Sequence, residues 1–195
     1  MGEPKKRLGT EGSAARASLL DATEQVMLSE GYGAITARRV AKEAGIKFQL
    51  IYYYFNSLDD LLLEVFQRGV GQNLQRMQAA LESAHPLRAL WAYCTATPDN
   101  RFVIEFMALA LHHETIRVAI AAHAERLREL QVAAITRHLE ARGMTVQIPP
   151  VLTSFLIASL SRSLLLESAL GMTSGHAEME ALVEECLQRF DPPSP

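Results

Sequence analysis

The chain has 195 residues, of which 49% are hydrophobic, 21% charged and 7% aromatic. This apolar share is large enough for a packed core and excludes a wholly disordered protein. At ~100–200 residues per domain, the length predicts one domain, or a small domain fused to a larger one. Cys94 and Cys186 are too few for a disulfide framework and belong to no CxxC pair, which favours a reducing, cytoplasmic setting.

The charge is distributed unevenly along the chain. Up to Ser57 there are eight Lys and Arg against six Asp and Glu, whereas from Leu58 onward there are 11 against 16. All four lysines lie in the first quarter, and they are Lys5, Lys6, Lys42 and Lys47. A basic front on an acidic remainder predicts that only the N-terminal part meets a polyanion.

Signals for secretion or membrane insertion are missing from the sequence pattern. No apolar stretch of signal-peptide type follows Met1. The longest uncharged run, 149–161, is shorter than the ~18–20 residues that a membrane span needs. We therefore expect an intracellular protein with no membrane partner.

Apolar residues recur at helical spacing through most of the chain, and no β-alternation is sustained. The fold class is therefore predicted as all-α, with about nine helices. In chain order the helices are expected at 13–31, 37–44, 47–55, 58–83, 86–97, 101–113, 114–142, 149–171 and 176–190. Residues 98–100 are expected to form a turn, because Pro, Asp and Asn favour one.

Three residues with strict geometric demands stand between 37 and 56. Ala41 supplies a small residue where two helices can cross, and Gly45 can adopt the positive φ of a tight turn. Ile51 is a branched aliphatic residue that can pack the second helix against the first. This spacing is typical of a helix-turn-helix; the alternative is an ordinary short helical hairpin.

The same segment carries a longer pattern. It reads Gly31-Tyr32, Ile35-Thr36, Val40-Ala41, Ala44-Gly45-Ile46, Ile51-Tyr52-Tyr53-Tyr54-Phe55, Ser57 and Asp59-Asp60-Leu61. Over about residues 19–62 the chain thus resembles the TetR family of bacterial transcription regulators. Three features depart from the family's usual pattern. Lys47 stands in place of a common Ser, and Leu58 in place of a common Lys. The positions after Lys47, which are often small or polar, hold Phe48, Gln49 and Leu50.

The resemblance implies a division of labour along the chain. Residues 1–12 would be a flexible basic arm, and 13–57 a helix-turn-helix DNA-binding domain. Residues 58–190 would be a helical effector-binding and dimerisation domain, and 191–195 a frayed tail. The implied protein is a cytoplasmic, nucleoid-associated homodimer, a repressor that a small, largely apolar effector releases from a palindromic operator in double-stranded DNA. The arm, with Lys5, Lys6 and Arg7, would enter a minor groove or serve as a solubilising tail.

The candidate DNA contacts lie on and just before the second helix of the motif, which enters the major groove N-terminus first. They are Thr36, Arg38, Lys47, Phe48, Gln49, Tyr52 and Tyr53. Gln49 can read adenine, and Lys47 can read guanine or grip phosphate. By resemblance, Tyr52 contacts phosphate. Phe48 either meets a thymine methyl or is tucked into its own domain, and Tyr54 is either core or a contact.

The dimer seam is expected on the last two helices. Ser154, Ala158 and Ser161 form a stripe of small residues that permits close helix approach, and Leu182 and Cys186 belong to an apolar face of the final helix. The alternative is that both helices serve only the core of the monomer.

The effector pocket is expected among apolar residues of the central helices. The candidates are Met77, Leu81, Trp91, Cys94, Phe102, Glu105, Phe106, Met107 and Phe155, each of which could also be plain core. Glu105 is the one charge on a nearly apolar helix and is costly to bury unpaired. It would therefore orient a ligand or pair with an arginine such as Arg162.

No motif of an enzyme or a metal site is present. The sequence contains no GxSxG, GxxxxGK[ST], GxGxxG or HExxH, and the histidines form no i, i+4 pair. We therefore expect no catalysis, no cofactor and no metal. The rival function is a helical small-molecule-binding protein with a degenerate DNA-binding module, because Leu50 and Leu58 replace polar positions.

Overall fold

The computed structural model describes residues 13–95, 97–144 and 148–193, and only the backbone of 97–101. These residues form nine α-helices and one 3-10 turn, with no strand among them, which confirms the all-α class. The helices are α1 (Ala14–Glu30), α2 (Ala37–Glu43), α3 (Gln49–Tyr54), α4 (Leu58–Leu81), α5 (Pro86–Thr95), α6 (Thr97–Ala110), α7 (Glu114–Ala141), α8 (Pro150–Ala169) and α9 (His176–Phe190). The basic arm at 1–12 lies outside the described residues.

One predicted connection is wrong. Residues 98–100 are helical, because α6 begins at Thr97. Pro98 therefore lies in the first helical turn, where a missing N–H costs nothing since that group has no partner within the helix. The 3-10 turn at Tyr32–Ala34 was not predicted.

The first of two compact units comprises the chain up to Gly71 together with Arg101–Ala121. Its fully buried side chains come from α1 to α4, α6 and the start of α7, and they include Leu19, Val26, Met27, Val40, Ile51, Leu61 and Ile116. Ion pairs also join α1 to α4. Arg16 pairs with Glu64, and Arg68 reaches Asp21 and Glu24 at 2.6 Å each.

The second unit comprises Gln72–Asn100 and Ala122–Pro195. Its core is built around Met77, Leu90 and Ile135. Helix α8 packs into this unit at Ser154, whose buried hydroxyl donates a hydrogen bond to Gln131 Oε1 at 2.6 Å. By length and composition alone, α8 is the one helix in the described part of the chain that could also cross a membrane.

The end of α9 is anchored by a buried carboxylate. Asp191 is fully buried and accepts hydrogen bonds from the backbone amides of Leu87 and Arg88, at 2.9 and 3.1 Å. It therefore caps the N-terminus of α5, where a negative charge is favoured. His85 and His138 flank it at 3.2 and 3.6 Å. The prediction that residues 191–195 form a frayed tail is therefore wrong for Asp191, which is buried.

Removing this cap should lower the stability of the second unit. In Asp191→Ala two amides at the start of α5 lose their acceptor, so we expect a loss of roughly 1–3 kcal/mol. Urea unfolding followed by circular dichroism measures it. Glu180→Ala, on the exposed side of α9, is the control and should leave the midpoint unchanged. Equal midpoints for the two variants would contradict the anchoring role of Asp191.

Candidate nucleic-acid interface

The connection between α2 and α3 depends on a left-handed glycine. Gly45 has φ +68°, a conformation that other residues adopt at a cost. The Ile46 amide donates to the carbonyl of Ala41 at 3.0 Å, and the Gly45 amide donates to that of Lys42 at 3.2 Å. This is the hydrogen-bond pattern of a Schellman motif, which ends α2 sharply and redirects the chain into α3.

The two helices meet as the spacing predicts. Ala41 is 2% exposed and Ile51 is fully buried, so the small residue and the branched residue both lie inside the motif. Thr36 caps α2 by accepting from the Arg39 amide at 3.1 Å. Phe55, directly after α3, is also buried, which fastens that end of α3.

The opposite face of α3 is open to solvent. All seven candidate DNA contacts are exposed, namely Thr36, Arg38, Lys47, Phe48, Gln49, Tyr52 and Tyr53. The exposed fractions of the three aromatic side chains are 39% for Phe48, 56% for Tyr52 and 43% for Tyr53. Tyr54 instead packs against the core, with its ring edge-on to Tyr53 at 4.9 Å. The structure thus brings the seven residues onto one motif, and their contact with DNA stays a prediction.

The cations of this motif fall into two groups. Arg39 is engaged by its own domain, since it bonds Glu30 at 3.0 Å through Nε and Glu43 at 2.8 Å through Nη1. These hydrogen bonds, to Glu30 first, raise the pKa of Arg39 and lower that of Glu30. Arg38, Lys42 and Lys47 make no ion pair with any described residue and are exposed. They are the cations available to a polyanion.

Glu105 on α6 supports the motif from behind. Its carboxylate accepts from the Tyr32 amide at 2.9 Å, at the start of the 3-10 turn that leads into α2. The preceding Gly31 has φ +84°, and a Cβ there would lie 3.5 Å from this carboxylate. Among the described residues Glu105 thus bonds a backbone amide and no arginine, and its role in orienting a ligand stays a prediction. Helical periodicity could not reveal a contact across 73 residues.

The predicted pocket residues are divided between the two units, and the pocket itself stays a prediction. Those packed in the second unit's core are Met77, Leu81, Trp91 and Cys94. Those of α6, Phe102, Glu105 and Phe106, lie in the first unit. Met107 and Phe155 are 45% and 51% exposed, so neither lies in a buried lining.

The two cysteines occupy different surroundings. Burial raises the pKa of the Cys94 thiol to about 11, so it is protonated at neutral pH and behaves as an apolar core residue. Cys186 is exposed on α9. Elsewhere in the described chain, no group of three or more His, Cys, Asp or Glu side chains is placed to hold a metal ion.

The predicted dimer residues divide between inside and outside. Ser154 and Ser161 are 0% and 4% exposed and pack within their own chain, so the small-residue stripe serves close packing inside the unit. Ala158 is partly buried between them. The open face of α8 is instead strongly apolar, and its exposed residues include Val151, Leu152, Phe155, Leu156 and Leu166. Leu182 and Cys186 of α9 are exposed, as a seam would need.

The sequence model of the family described as bacterial regulatory proteins, tetR family, matches residues 19–65 of this chain. The Fatty acid metabolism regulator protein of Bacillus subtilis (strain 168) is 33% identical over 60 residues, which is 31% of this chain and 31% of that protein. The chain thus matches less than a third of that relative's length.

Solved structures match over nearly the whole chain. A protein from Saccharomonospora viridis in complex with choline has a TM-score of 0.77 at 20% identity, over 89% of this chain and 95% of that one. A TetR transcription regulator from Haloarcula marismortui has a TM-score of 0.72 at 16% identity, over 91% and 96%. At these identities the likeness shows a shared fold. The family match itself covers residues 19–65, the segment that holds the helix-turn-helix, and there the chain is similar to bacterial regulatory proteins of the tetR family.

The left-handed turn gives a direct test of the motif's geometry. Gly45→Ala should destabilise the protein by about 1–2 kcal/mol, because a Cβ is unfavourable at positive φ even where space is open. Gly33→Ala is the matched control, since Gly33 also faces open space and has no positive φ. Thermal and urea unfolding compare the two. A Gly45→Ala variant as stable as Gly33→Ala would disprove the requirement for a left-handed residue at this turn.

Proposed function

We propose that the chain is a dimeric, ligand-responsive transcriptional regulator that binds double-stranded DNA, acts as a repressor and is not an enzyme. The observation that carries the proposal is the two-sided character of α3. Its buried side, Ile51, holds it against α2, while Lys47 and Gln49 stand in solvent at its N-terminal end. A helix fixed in this way with its leading residues free is what the major groove admits.

The exposed residues suit DNA chemically. Gln49 carries a donor and an acceptor on one amide and can bond adenine bidentately. Lys47 and Lys42 are exposed cations outside any described ion pair, and they suit phosphate or guanine. Tyr52 presents a hydroxyl at the surface that can donate to a phosphate oxygen. Leu50 and Leu58, which motivated the rival function, are both partly buried, and Leu58 packs against the core of the first unit.

Two copies of the chain would bind a palindromic operator. The exposed apolar side chains of α8, together with Leu182 of α9, suit an isologous interface between copies. Twofold symmetry would then place two α3 helices ~34–36 Å apart, one turn of DNA. Ser154 and Ser161 are left out of this seam, because they are already covered by their own chain.

The effector would bind in the second unit. Trp91 and Cys94 are partly buried beside Met77 and Leu90, and Arg162 and Ser161 also act on Cys94, so the surroundings favour a largely apolar molecule. The choline complex of the Saccharomonospora viridis protein supports a small-molecule role for this fold. An effector can release DNA only if it prefers a conformation that fits the operator poorly, with a typical coupling of ~1–3 kcal/mol.

In the cell we place this repressor in the cytoplasm, on the nucleoid.

Base reading and phosphate contact can be separated by two substitutions. Gln49→Ala should weaken binding to a selected palindrome and relax one base preference by ~1–3 kcal/mol. Lys47→Ala should lower the slope of log affinity against log salt by about 1 when Lys47 meets phosphate. Fluorescence anisotropy over a salt series measures both. Arg126→Ala, on the exposed part of α7, is the control and should change neither.

The rival function makes the opposite prediction for the same series. A small-molecule-binding protein with a degenerate DNA module would show no selected sequence and a salt slope near zero, since few phosphate contacts release counterions. That result would contradict the proposed regulator.

Trp91, the single tryptophan, reports on the proposed pocket. Decanoate, used as an apolar probe, should change Trp91 emission saturably and weaken operator binding over the same concentrations. Choline, as a smaller, cationic probe, should do neither, because the hydrophobic core around Trp91 offers no anionic group among its described residues. Operator release by decanoate without any change in Trp91 emission would place the pocket elsewhere.

A further inference from the structure

One exposed arginine of the interface is held by an aromatic ring. The guanidinium carbon of Arg38, in the first turn of α2, lies over the Phe48 ring at 5.9 Å from its centroid. Phe48 directly precedes α3 and is 39% exposed. The pair therefore spans the two helices at the surface where DNA is proposed to bind. Cation–π pairs act within about 6 Å of the centroid.

The neighbouring arginine shows what is unusual about this arrangement. The N–H groups of Arg39 donate hydrogen bonds to Glu30 and Glu43. Arg38 has no carboxylate partner among the described residues, and its guanidinium carbon lies over the Phe48 ring. A ring restricts the side chain but leaves the planar fork of donors free, whereas an ion pair occupies that fork.

We propose that Phe48 is a positioning residue that holds Arg38 ready to read a guanine. This inference rests on the proposed DNA-binding function. A guanine presents O6 and N7 to the major groove, and the arginine fork matches these two acceptors. Phe48 then determines specificity through Arg38 and not through a thymine methyl. Phe48 would thus act by positioning Arg38, and neither by touching a base nor by filling the core.

Two substitutions of Phe48 separate these roles. Phe48→Leu keeps an apolar side chain that can still touch a methyl group, but it has no π face for the guanidinium. Phe48→Trp keeps a π face and changes the shape. The wild type, Phe48→Leu, Arg38→Ala and the double variant Arg38→Ala/Phe48→Leu form a double-mutant cycle. Phe48→Trp is measured beside this cycle.

The experiment uses the full-length protein and the palindrome it selects from a randomised DNA pool. Affinity is measured for the selected site and for every single base-pair change in one half-site. Arg38→Ala should lose tenfold or more discrimination at one guanine position. Phe48→Leu should lose about two- to fivefold at that same position, as expected for an exposed cation–π pair. The double variant should equal Arg38→Ala, and Phe48→Trp should retain discrimination there.

The alternatives give different results. Discrimination lost by Phe48→Leu at a different base pair, or losses that simply add in the double variant, would overturn the positioning role while leaving DNA binding intact. Unchanged discrimination in Phe48→Leu would do the same. If the wild-type chain selects no sequence, the proposed function fails and this inference fails with it. Arg117→Ala, an exposed arginine at the start of α7, is the control for general loss of positive charge. Thermal melts verify that each variant is folded.

Discussion

The proposed interface depends on the backbone turn at Gly45, since every exposed residue of α3 takes its direction from it. The positive φ of this glycine lets the chain leave α2 and enter α3 within five residues. Buried Ile51 and Phe55 then fix the rotation of α3 about its own axis. With that rotation fixed, Gln49 and Tyr53 face solvent as a matter of helical geometry. A residue with a Cβ at position 45 would strain the turn and so disturb the whole face.

The surroundings of the motif restrict it further. Glu105 bonds the Tyr32 amide at the turn before α2, and the ion pairs of Arg68 hold α1 to α4. These contacts come from outside the helix-turn-helix itself. They give the motif a defined position within its compact unit, which a short pair of helices could not maintain alone.

The helix-turn-helix was predictable because its requirements are local. Ala41, Gly45 and Ile51 are separated by a few residues, and each has a steric reason to be where it is. The helix pattern and the all-α class follow from periodicity in the same way, since apolar spacing reports which face of a helix is buried. Lys47 and Gln49 were predicted to face DNA because they lead the second helix of such a motif, and Tyr52 because of the resemblance to the TetR family.

Other features depend on contacts distant in sequence. Asp191 is buried because it caps a helix 104 residues earlier, and nothing near it in sequence signals this. Ser154 and Ser161 were predicted to lie in the dimer seam but are buried within their own chain, because periodicity does not say which neighbour covers a packing surface. The predicted pocket residues are divided between two cores for the same reason. Apolar residues on α4, α5 and α6 look alike in sequence, whereas folding assigns them to separate cores.

The central claim is that the exposed face between Thr36 and Tyr53 is the surface that meets DNA. Hydrogen exchange of the full-length protein, with and without its selected palindrome, tests it most directly. Peptides covering residues 36–55 should become protected when DNA is added, and protection should disappear at high salt. Protection confined to other regions, with 36–55 unchanged at saturating DNA, would contradict the account.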